Sequence, residues 1–309
     1  MNFLTIEGVS KRYHATQAVD NVSFEVDRNQ AFALVGPDGA GKTTLMRALC
    51  NLLEVDGGRA WLDGIDLFAD FEKAKPILGY MPQQFSLYPD LSLEENMTFY
   101  AGLHGLTGAR YRRRRDQLYD FSNLEPFARR RVGALSGGMK QKLALSCALI
   151  HGPKMLILDE PTTGVDPLSR RQFWELLEQL RNEGVSILAS TPYMDEVVRT
   201  DRAGFMFAGC LLARGTPGEL TRLFEGSVYE VPVDASSQLV DRLSAIEGVS
   251  AGRFGAALHV YLGPGAALDQ VANRLSEAGL RVDDLKQIEP DLEDVFIQQL
   301  ARGQGGRDE

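Results

Sequence analysis

Residues 30–43 read Gln30-Ala31-Phe32-Ala33-Leu34-Val35-Gly36-Pro37-Asp38-Gly39-Ala40-Gly41-Lys42-Thr43, and their order decides the fold. The apolar run Gln30–Val35 predicts a strand buried on both faces, as in a parallel sheet. The run that follows predicts a helix over Lys42–Leu53. Between them, Gly36–Thr43 fits the spacing G-x-x-x-x-G-K-[ST]. Strand, glycine-rich loop and helix N-terminus together make a phosphate cradle. The glycines let backbone N–H groups turn inward around anionic oxygens. The helix N-terminus adds positive potential. Gly36, Pro37, Asp38, Gly39, Ala40, Gly41, Lys42, Thr43 and Thr44 are the expected contacts to a nucleoside triphosphate. Lys42 would reach the β- and γ-phosphates, and the Thr43 hydroxyl would ligate Mg²⁺.

Further along, Met155-Leu156-Ile157-Leu158-Asp159-Glu160 is a second buried strand that ends in two carboxylates. Sheets of this kind bind ligands at the carboxyl ends of their strands. Asp159 is placed to hold Mg²⁺ through water. Glu160 is placed to orient and deprotonate an attacking water. A third run, Val185–Ala189, and a helix over Leu168–Arg181 continue the strand–loop–helix alternation. The expected class is α/β with a parallel-sheet core. Leu93–Phe127 carries few strand signals and many charges, and reads as a helical insertion.

Composition narrows the function. The chain has 309 residues, 33 Lys plus Arg against 42 Asp plus Glu, and a net charge of −9. Such an acidic chain is not a general nucleic-acid coater. No apolar stretch is long enough to span a membrane, and the opening residues do not read as a signal peptide. Cys50, Cys147 and Cys210 are odd in number and far apart, which argues against a disulfide framework. His14, His104, His151 and His259 lack metal-ligand spacing. The arginines at 110, 112–115 and 129–131 read chiefly as solvated helix faces.

The character of the chain shifts near residue 220. From Val228 the expected order is strand, helix (Gln238–Ile246), strand (Val249–Phe254), strand (Leu258–Leu262), helix (Ala267–Ala278) and strand (Val282–Ile288). That β-α-β-β-α-β order is the ferredoxin-like arrangement. A last helix, Leu292–Ala301, and a disordered tail follow. The expected domains are 1–220, with a helical part near 90–150, then 221–301 and the tail 302–309.

Leu135-Ser136-Gly137-Gly138-Met139-Lys140-Gln141 lies between the phosphate loop and the strand ending at Asp159. It resembles the LSGGQ signature of ABC (ATP-binding cassette) ATPases, and the resemblance covers essentially residues 1–300. It implies a P-loop ATPase domain with a parallel-sheet core, an antiparallel β subdomain and a helical subdomain, followed by the small α+β end. It implies ATP and Mg²⁺ as cofactors. Ser136, Gly137 and Gly138 would cover the nucleotide of an opposite ATPase domain. Tyr13 resembles the aromatic that stacks on adenine. Gln83 in Tyr80-Met81-Pro82-Gln83 resembles the glutamine that senses Mg²⁺ and water. Asp166 in Gly164-Val165-Asp166-Pro167 resembles the D-loop aspartate. Pro290-Asp291-Leu292-Glu293-Asp294-Val295-Phe296 resembles a C-terminal motif of ATPases serving ABC-2 type exporters, including multidrug exporters.

The family's implied partners are ABC-2 type membrane permease subunits and a second ATPase domain. The implied place is peripheral, on the cytoplasmic face of the cell membrane. Two departures stand out. Asp38 replaces the family's usual Asn and is expected to point away from phosphate. Pro192 in Ser190-Thr191-Pro192-Tyr193 stands where the family carries its switch histidine. Proline offers neither a side-chain donor nor an N–H. A slow site and a non-identical ATPase partner are therefore expected, a homodimer being the alternative. The rival classes are a non-transport ABC ATPase and a weakly hydrolysing regulatory module. Long coiled-coil insertions, a second cassette and a basic linker, which the former would carry, are not seen.

Overall fold

The computed structural model describes residues 2–84, 87–233, 236–254 and 257–305. It divides into two compact units, Met1–Pro217 and Gly218–Glu309. The first opens with β1 (Asn2–Tyr13), β2 (Thr16–Asp27), β3 (Ala31–Val35) and α1 (Lys42–Leu49). There follow β4 (Gly57–Leu62), β5 (Ile65–Asp66), the short α2 (Phe71–Ala74) and β6 (Leu78–Met81). The helical insertion is α3 (Leu93–Leu103) and α4 (Gly108–Ser122), leading to α5 (Gly137–Leu149). Then come β7 (Met155–Asp159), α6 (Pro167–Asn182), β8 (Ser186–Thr191), β9 (Arg202–Phe207) and β10 (Cys210–Gly215), and α7 (Pro217–Thr221) begins at the boundary with the second unit.

Six of these strands form the central sheet, in the order β10-β9-β3-β8-β7-β6. β6 to β9 and β3 pair in parallel, and only β10 runs antiparallel. The parallel strands at Gln30–Val35, Met155–Leu158 and Val185–Ala189 were expected. Strand β7 shows why they are apolar throughout. Met155 and Ile157 face one hydrophobic core, and Leu156 and Leu158 face another. Alternate residues point to opposite faces, and here both faces are covered. The β9–β10 hairpin was not read from the sequence. It turns through Ala208 (φ 45) and Gly209 (φ 83), the left-handed pair that a two-residue hairpin turn requires.

The second sheet is antiparallel, in the order β2-β1-β4-β5. Its buried face carries Leu4, Ile6, Val9, Val22 and Phe24. These pack with Phe32 and Leu34 of β3 and with Leu45, Met46 and Leu49 of α1. Helix α1 is thus clamped in a core shared by the two sheets. It stops at Leu49 rather than the expected Leu53, because Asn51 turns left-handed (φ 52), a common way to end a helix.

On the other face of the central sheet, α5 and α6 join α3 and α4 in one core, with Leu93, Met97, Leu118, Leu143 and Trp174 among its members. Helix α3 begins with a reciprocal capping box between Ser92 and Glu95, which satisfies two N-terminal backbone donors. The arginines of α4 divide by role. Arg110, Arg112 and Arg113 are exposed. Arg114 donates to the Leu149 carbonyl at 2.8 Å, and Arg115 pairs with Glu94 at 2.5 Å. His104 and His151 stack with ring centroids 3.9 Å apart. Burial, with the neighbouring His104, pushes His151 down to about 4.

The second unit contains β11 (Ser227–Val231), α8 (Ser237–Ser244), β12 (Val249–Phe254), β13 (Ala257–Leu262), α9 (Leu268–Glu277), β14 (Lys286–Ile288) and α10 (Leu292–Gly305). Its sheet order is β12-β13-β11-β14, antiparallel at each pairing. That is the order of a ferredoxin-like sheet. The last strand is shorter than expected. Val282–Asp284 form a 3₁₀ turn, and only Lys286–Ile288 pair. Helix α10 runs past the expected Ala301 to Gly305, so residues 302–305 are helical rather than tail. Residues 306–309 lie outside the described residues.

The motif Pro290–Phe296 acquires a physical meaning here. Asp291 accepts from the backbone N–H groups of Glu293 and Asp294, each at 2.9 Å, and so caps α10. Leu292, Val295 and Phe296 form its buried face. Asp294 is 0% exposed. Its carboxylate accepts from Tyr261 Oη at 2.9 Å and from the Asp291 N–H at 2.9 Å, and lies 2.8 Å from His259 Nδ1. A buried carboxylate is tolerated when it is so fully bonded. Replacing Asp294 by Ala would strand the buried Tyr261 and His259 groups, at a cost of about 3 kcal/mol. Urea unfolding of the full chain should show that loss, and Asp294→Asn, which keeps one acceptor, should lose roughly half as much.

Candidate active site

Two sheet strands deliver the chemistry. The glycine-rich loop leaves β3, the two carboxylates end β7, and β8 lies between them. The loop has no room for side chains at its ends. A Cβ on Gly36 would stand 2.0 Å from the Met206 carbonyl oxygen, and one on Gly41 (φ 103) would stand 2.1 Å from the Ala18 carbonyl oxygen. Gly41 begins α1 without a side-chain cap, which leaves the first N–H groups of that helix available to an anion. Asp38 is exposed.

Lys42 is buried at 3% exposure. Its ammonium donates to the carbonyls of Gly36 (2.7 Å) and Pro37 (2.9 Å) and lies 3.1 Å from Glu160 Oε1. Glu160, 5% exposed, accepts on its other oxygen from Gln83 Nε2 at 3.0 Å and Thr163 Oγ1 at 3.3 Å. Each member of this buried ion pair has further hydrogen bonds, which is the condition under which such a pair is tolerated. Glu160 also has φ 47, a left-handed backbone that costs a side-chain-bearing residue about 1–2 kcal/mol. Its N–H is held by Ser190 Oγ at 2.9 Å.

Beside it, Asp159 Oδ1 accepts from Thr43 Oγ1 at 3.1 Å and from Ser190 Oγ at 2.8 Å. Its second oxygen, Oδ2, is buried without a hydrogen-bond partner. Burial raises the Asp159 carboxyl above its usual range, the hydrogen bonds from Ser190 and Thr43 oppose the rise, and the neighbouring Glu160 charge adds to it. A hard cation would answer this arrangement. An orphaned carboxylate oxygen next to a threonine hydroxyl is an oxygen donor set suited to Mg²⁺. The glycine-lined loop, with Lys42 at its base, suits the polyphosphate that would share that ion.

The residues singled out from the sequence thus fall into two groups. Lys42, Thr43, Gln83, Asp159 and Glu160 meet in one cluster. Ser136, Gly137, Gly138 and Asp166 make another. Ser136 Oγ accepts from Met139 N–H at 3.3 Å and caps α5. Asp166 accepts from Ser169 N–H at 2.9 Å and caps α6. The two helix starts touch at Gly138, where a Cβ would stand 2.6 Å from Ser169 Oγ. Among the described residues, no hydrogen bond joins this second group to Lys42, Thr43, Asp159 or Glu160. Tyr13 is 43% exposed at the end of the β1–β2 hairpin, with Lys11 Nζ 5.7 Å from its ring centroid.

Sequence reasoning passed over Ser190, which bonds Asp159 and the Glu160 N–H together. Its signal was a hydroxyl pair, Ser190-Thr191, following the apolar residues Ile187–Ala189 of a buried strand. It also passed over Thr163, and a buried cluster of Thr162, Thr191 and Glu196.

Comparison with known proteins places these motifs. The sequence pattern described as ABC transporter matches residues 19–163. The chain is 38% identical over 303 residues to the probable multidrug ABC transporter ATP-binding protein YbhF of Escherichia coli, covering 96% of this chain and 52% of that one. The chain thus spans about half the length of YbhF. It is 33% identical to the daunorubicin resistance ATP-binding protein DrrA3 of Streptomyces coeruleorubidus, over 95% of this chain and 94% of that one. It is 30% identical to the linearmycin resistance ATP-binding protein LnrL of Bacillus subtilis, over 97% and 98% of the two. A solved structure of an ATP-binding subunit of an ABC transporter superposes with TM-score 0.64 at 32% identity, over 71% of this chain and 92% of that one. With its cassette motifs in order, and with relatives matched along nearly their whole length, the chain belongs to the ABC transporter family, among its ATP-binding proteins.

Proposed function

We propose that this chain binds and hydrolyses ATP to power an ABC-2 type membrane exporter of drugs or other hydrophobic compounds. The observation that carries the reading is the buried Lys42–Glu160 pair, bonded to the exposed Gln83 and set beside Thr43 and the half-bonded Asp159. Glu160 is held to accept a proton from water. Gln83 orients it. Lys42 offers positive charge where negative charge develops on phosphate oxygens. Asp159, Thr43 and Gln83 would hold Mg²⁺, which supplies charge neutralisation to the phosphates when bound. Tyr13 would stack on adenine. The names of YbhF, DrrA3 and LnrL support a drug-related substrate, with export by way of permease subunits. Among the described residues no helix is long and apolar enough to cross a membrane. Permease subunits on separate chains would hold this one at the inner face of the membrane.

The separation of Ser136, Gly137, Gly138 and Asp166 from the Lys42 cluster supports their use on the site of a second ATPase chain. Pro192 follows Thr191 at the carboxyl end of β8 and brings no hydrogen-bonding side chain. That favours an asymmetric pair, in which the site on this chain's own phosphate loop turns over slowly. The partner's site, completed by this chain's Ser136–Gly138, is then the faster one.

Three outcomes are expected. Glu160→Gln should keep ATP binding in a fluorescent-nucleotide titration and lower steady-state hydrolysis by about 100-fold or more. Unaltered hydrolysis would instead favour a regulatory module. Pro192→His should raise single-site turnover by roughly 10- to 100-fold, the value of one hydrogen bond to a charged group felt in the transition state. Unchanged turnover at saturating ATP would sink the slow-site idea.

The third concerns Asp159. Its carboxyl has a raised folded-state pKa, so the ionised form is penalised in the native state at any pH above that value. Asp159→Asn should therefore raise the melting temperature in EDTA at pH 7.5. The gain should shrink in acid, where the wild-type carboxyl is already neutral. The same variant should weaken Mg²⁺-dependent ATP binding, measured by titration.

A further inference from the structure

Behind the strand ends lies a buried carboxylate that the reaction does not touch. Glu196 is 3% exposed and sits in a 3₁₀ turn, Met194–Arg199. Its two oxygens take two different hydroxyls. Thr162 Oγ1 donates to Oε1 at 2.7 Å, and Thr191 Oγ1 donates to Oε2 at 2.5 Å. Both threonines are themselves buried. Burying a carboxylate on neutral donors is costly unless its bonds are well made, so this clasp is tight and specific about where its partners stand.

The partners are what give the clasp its reach. Thr162 lies two residues beyond Glu160, inside the turn closed by the Thr163 N–H on the Glu160 carbonyl at 3.2 Å. That turn holds Glu160 at φ 47. Such a backbone persists only where its surroundings fix it from several sides. Ser190 fixes the Glu160 N–H on one side, and the Thr162–Glu196 bond fixes the turn on the other. Thr191 ends β8 just before Pro192. Its carbonyl accepts from the Gly36 N–H at 3.3 Å, at the start of the phosphate loop. Its hydroxyl also accepts from the Tyr193 N–H at 3.0 Å, holding the loop on the far side of Pro192. On that same loop, the Arg170 guanidinium lies over the Tyr193 ring, 4.3 Å from its centroid.

We propose that Glu196 is a positioning residue for hydrolysis. It locks the Glu160 turn, the end of β8 and the start of the phosphate loop into one register, in a loop where Pro192 brings no side-chain donor. It acts through Thr162 and Thr191 and does not meet the nucleotide. The proposal rests on the hydrolytic reading above.

Steady-state hydrolysis, titration with a fluorescent N-methylanthraniloyl ATP and thermal melting would be measured on the full chain. The variants are Glu196→Ala, Glu196→Gln and Thr162→Val. The Gln side chain can still bridge both hydroxyls, accepting from one and donating to the other. Glu196→Ala should lower kcat by about tenfold or more while nucleotide affinity and KM stay within roughly twofold. Glu196→Gln should recover kcat to within about threefold of wild type. Thr162→Val, which keeps the side-chain shape, should lower kcat by roughly threefold or more with affinity retained. It carries the comparison if Glu196→Ala does not fold.

Wild-type kcat in Thr162→Val or in folded Glu196→Ala overturns the positioning role alone. So does a fall of kcat and affinity together that tracks the loss of melting temperature. Hydrolysis that is absent even with the second ATPase chain present, or indifferent to Glu160→Gln, sinks the functional reading and the positioning role with it.

Discussion

Two adjacent carboxylates end a strand whose other residues are apolar and buried, and neither can stay there without partners drawn from elsewhere in the chain. Asp159 takes hydroxyls from Thr43 on α1 and Ser190 on β8. Glu160 takes the ammonium of Lys42, the amide of Gln83 and the hydroxyl of Thr163. Four segments, remote in sequence, are thereby drawn to the same ends of the same sheet. A charge removed from water must be paired or bonded, and here the groups that do so are the groups the chemistry needs.

The glycines show the same constraint from the backbone. Gly36 and Gly41 lie where the phosphate loop meets the carbonyls of Met206 and Ala18, and Gly138 lies where α5 meets Ser169. At each, one added carbon would displace main chain or an adjoining helix start. The loop geometry is therefore set by contacts with β9 and with the β1–β2 hairpin, as well as by its own φ angles. The site and the core behind it share one set of distances.

The second unit solves a similar problem without a catalytic cluster. Asp294 is as buried as Asp159, and its bonds to Tyr261, His259 and the Asp291 N–H are complete. The contrast is instructive. A fully bonded buried carboxylate anchors a helix. A half-bonded one, with Asp159 Oδ2 unpartnered, invites a cation.

Much of this was legible in the sequence, because local rules carry it. The unbroken apolar run of β7, the glycine spacing of Gly36–Thr43 and the carboxylates that close that run each arise within a few residues. So does the β-α-β-β-α-β order of the C-terminal unit. What the sequence could not display were relations between segments far apart in the chain. Ser190 is an ordinary strand residue until β8 is set beside β7. Glu196 is an ordinary surface-type residue until Thr162 and Thr191 close over it. The β9–β10 hairpin escaped notice because its strands are defined by their partners rather than by alternation. The chain by itself determined the fold class and the identity of the reactive groups, since both follow from short-range pattern and side-chain chemistry. Only the tertiary structure decided which of those groups meet, because burial and hydrogen bonding act through space and not along the sequence.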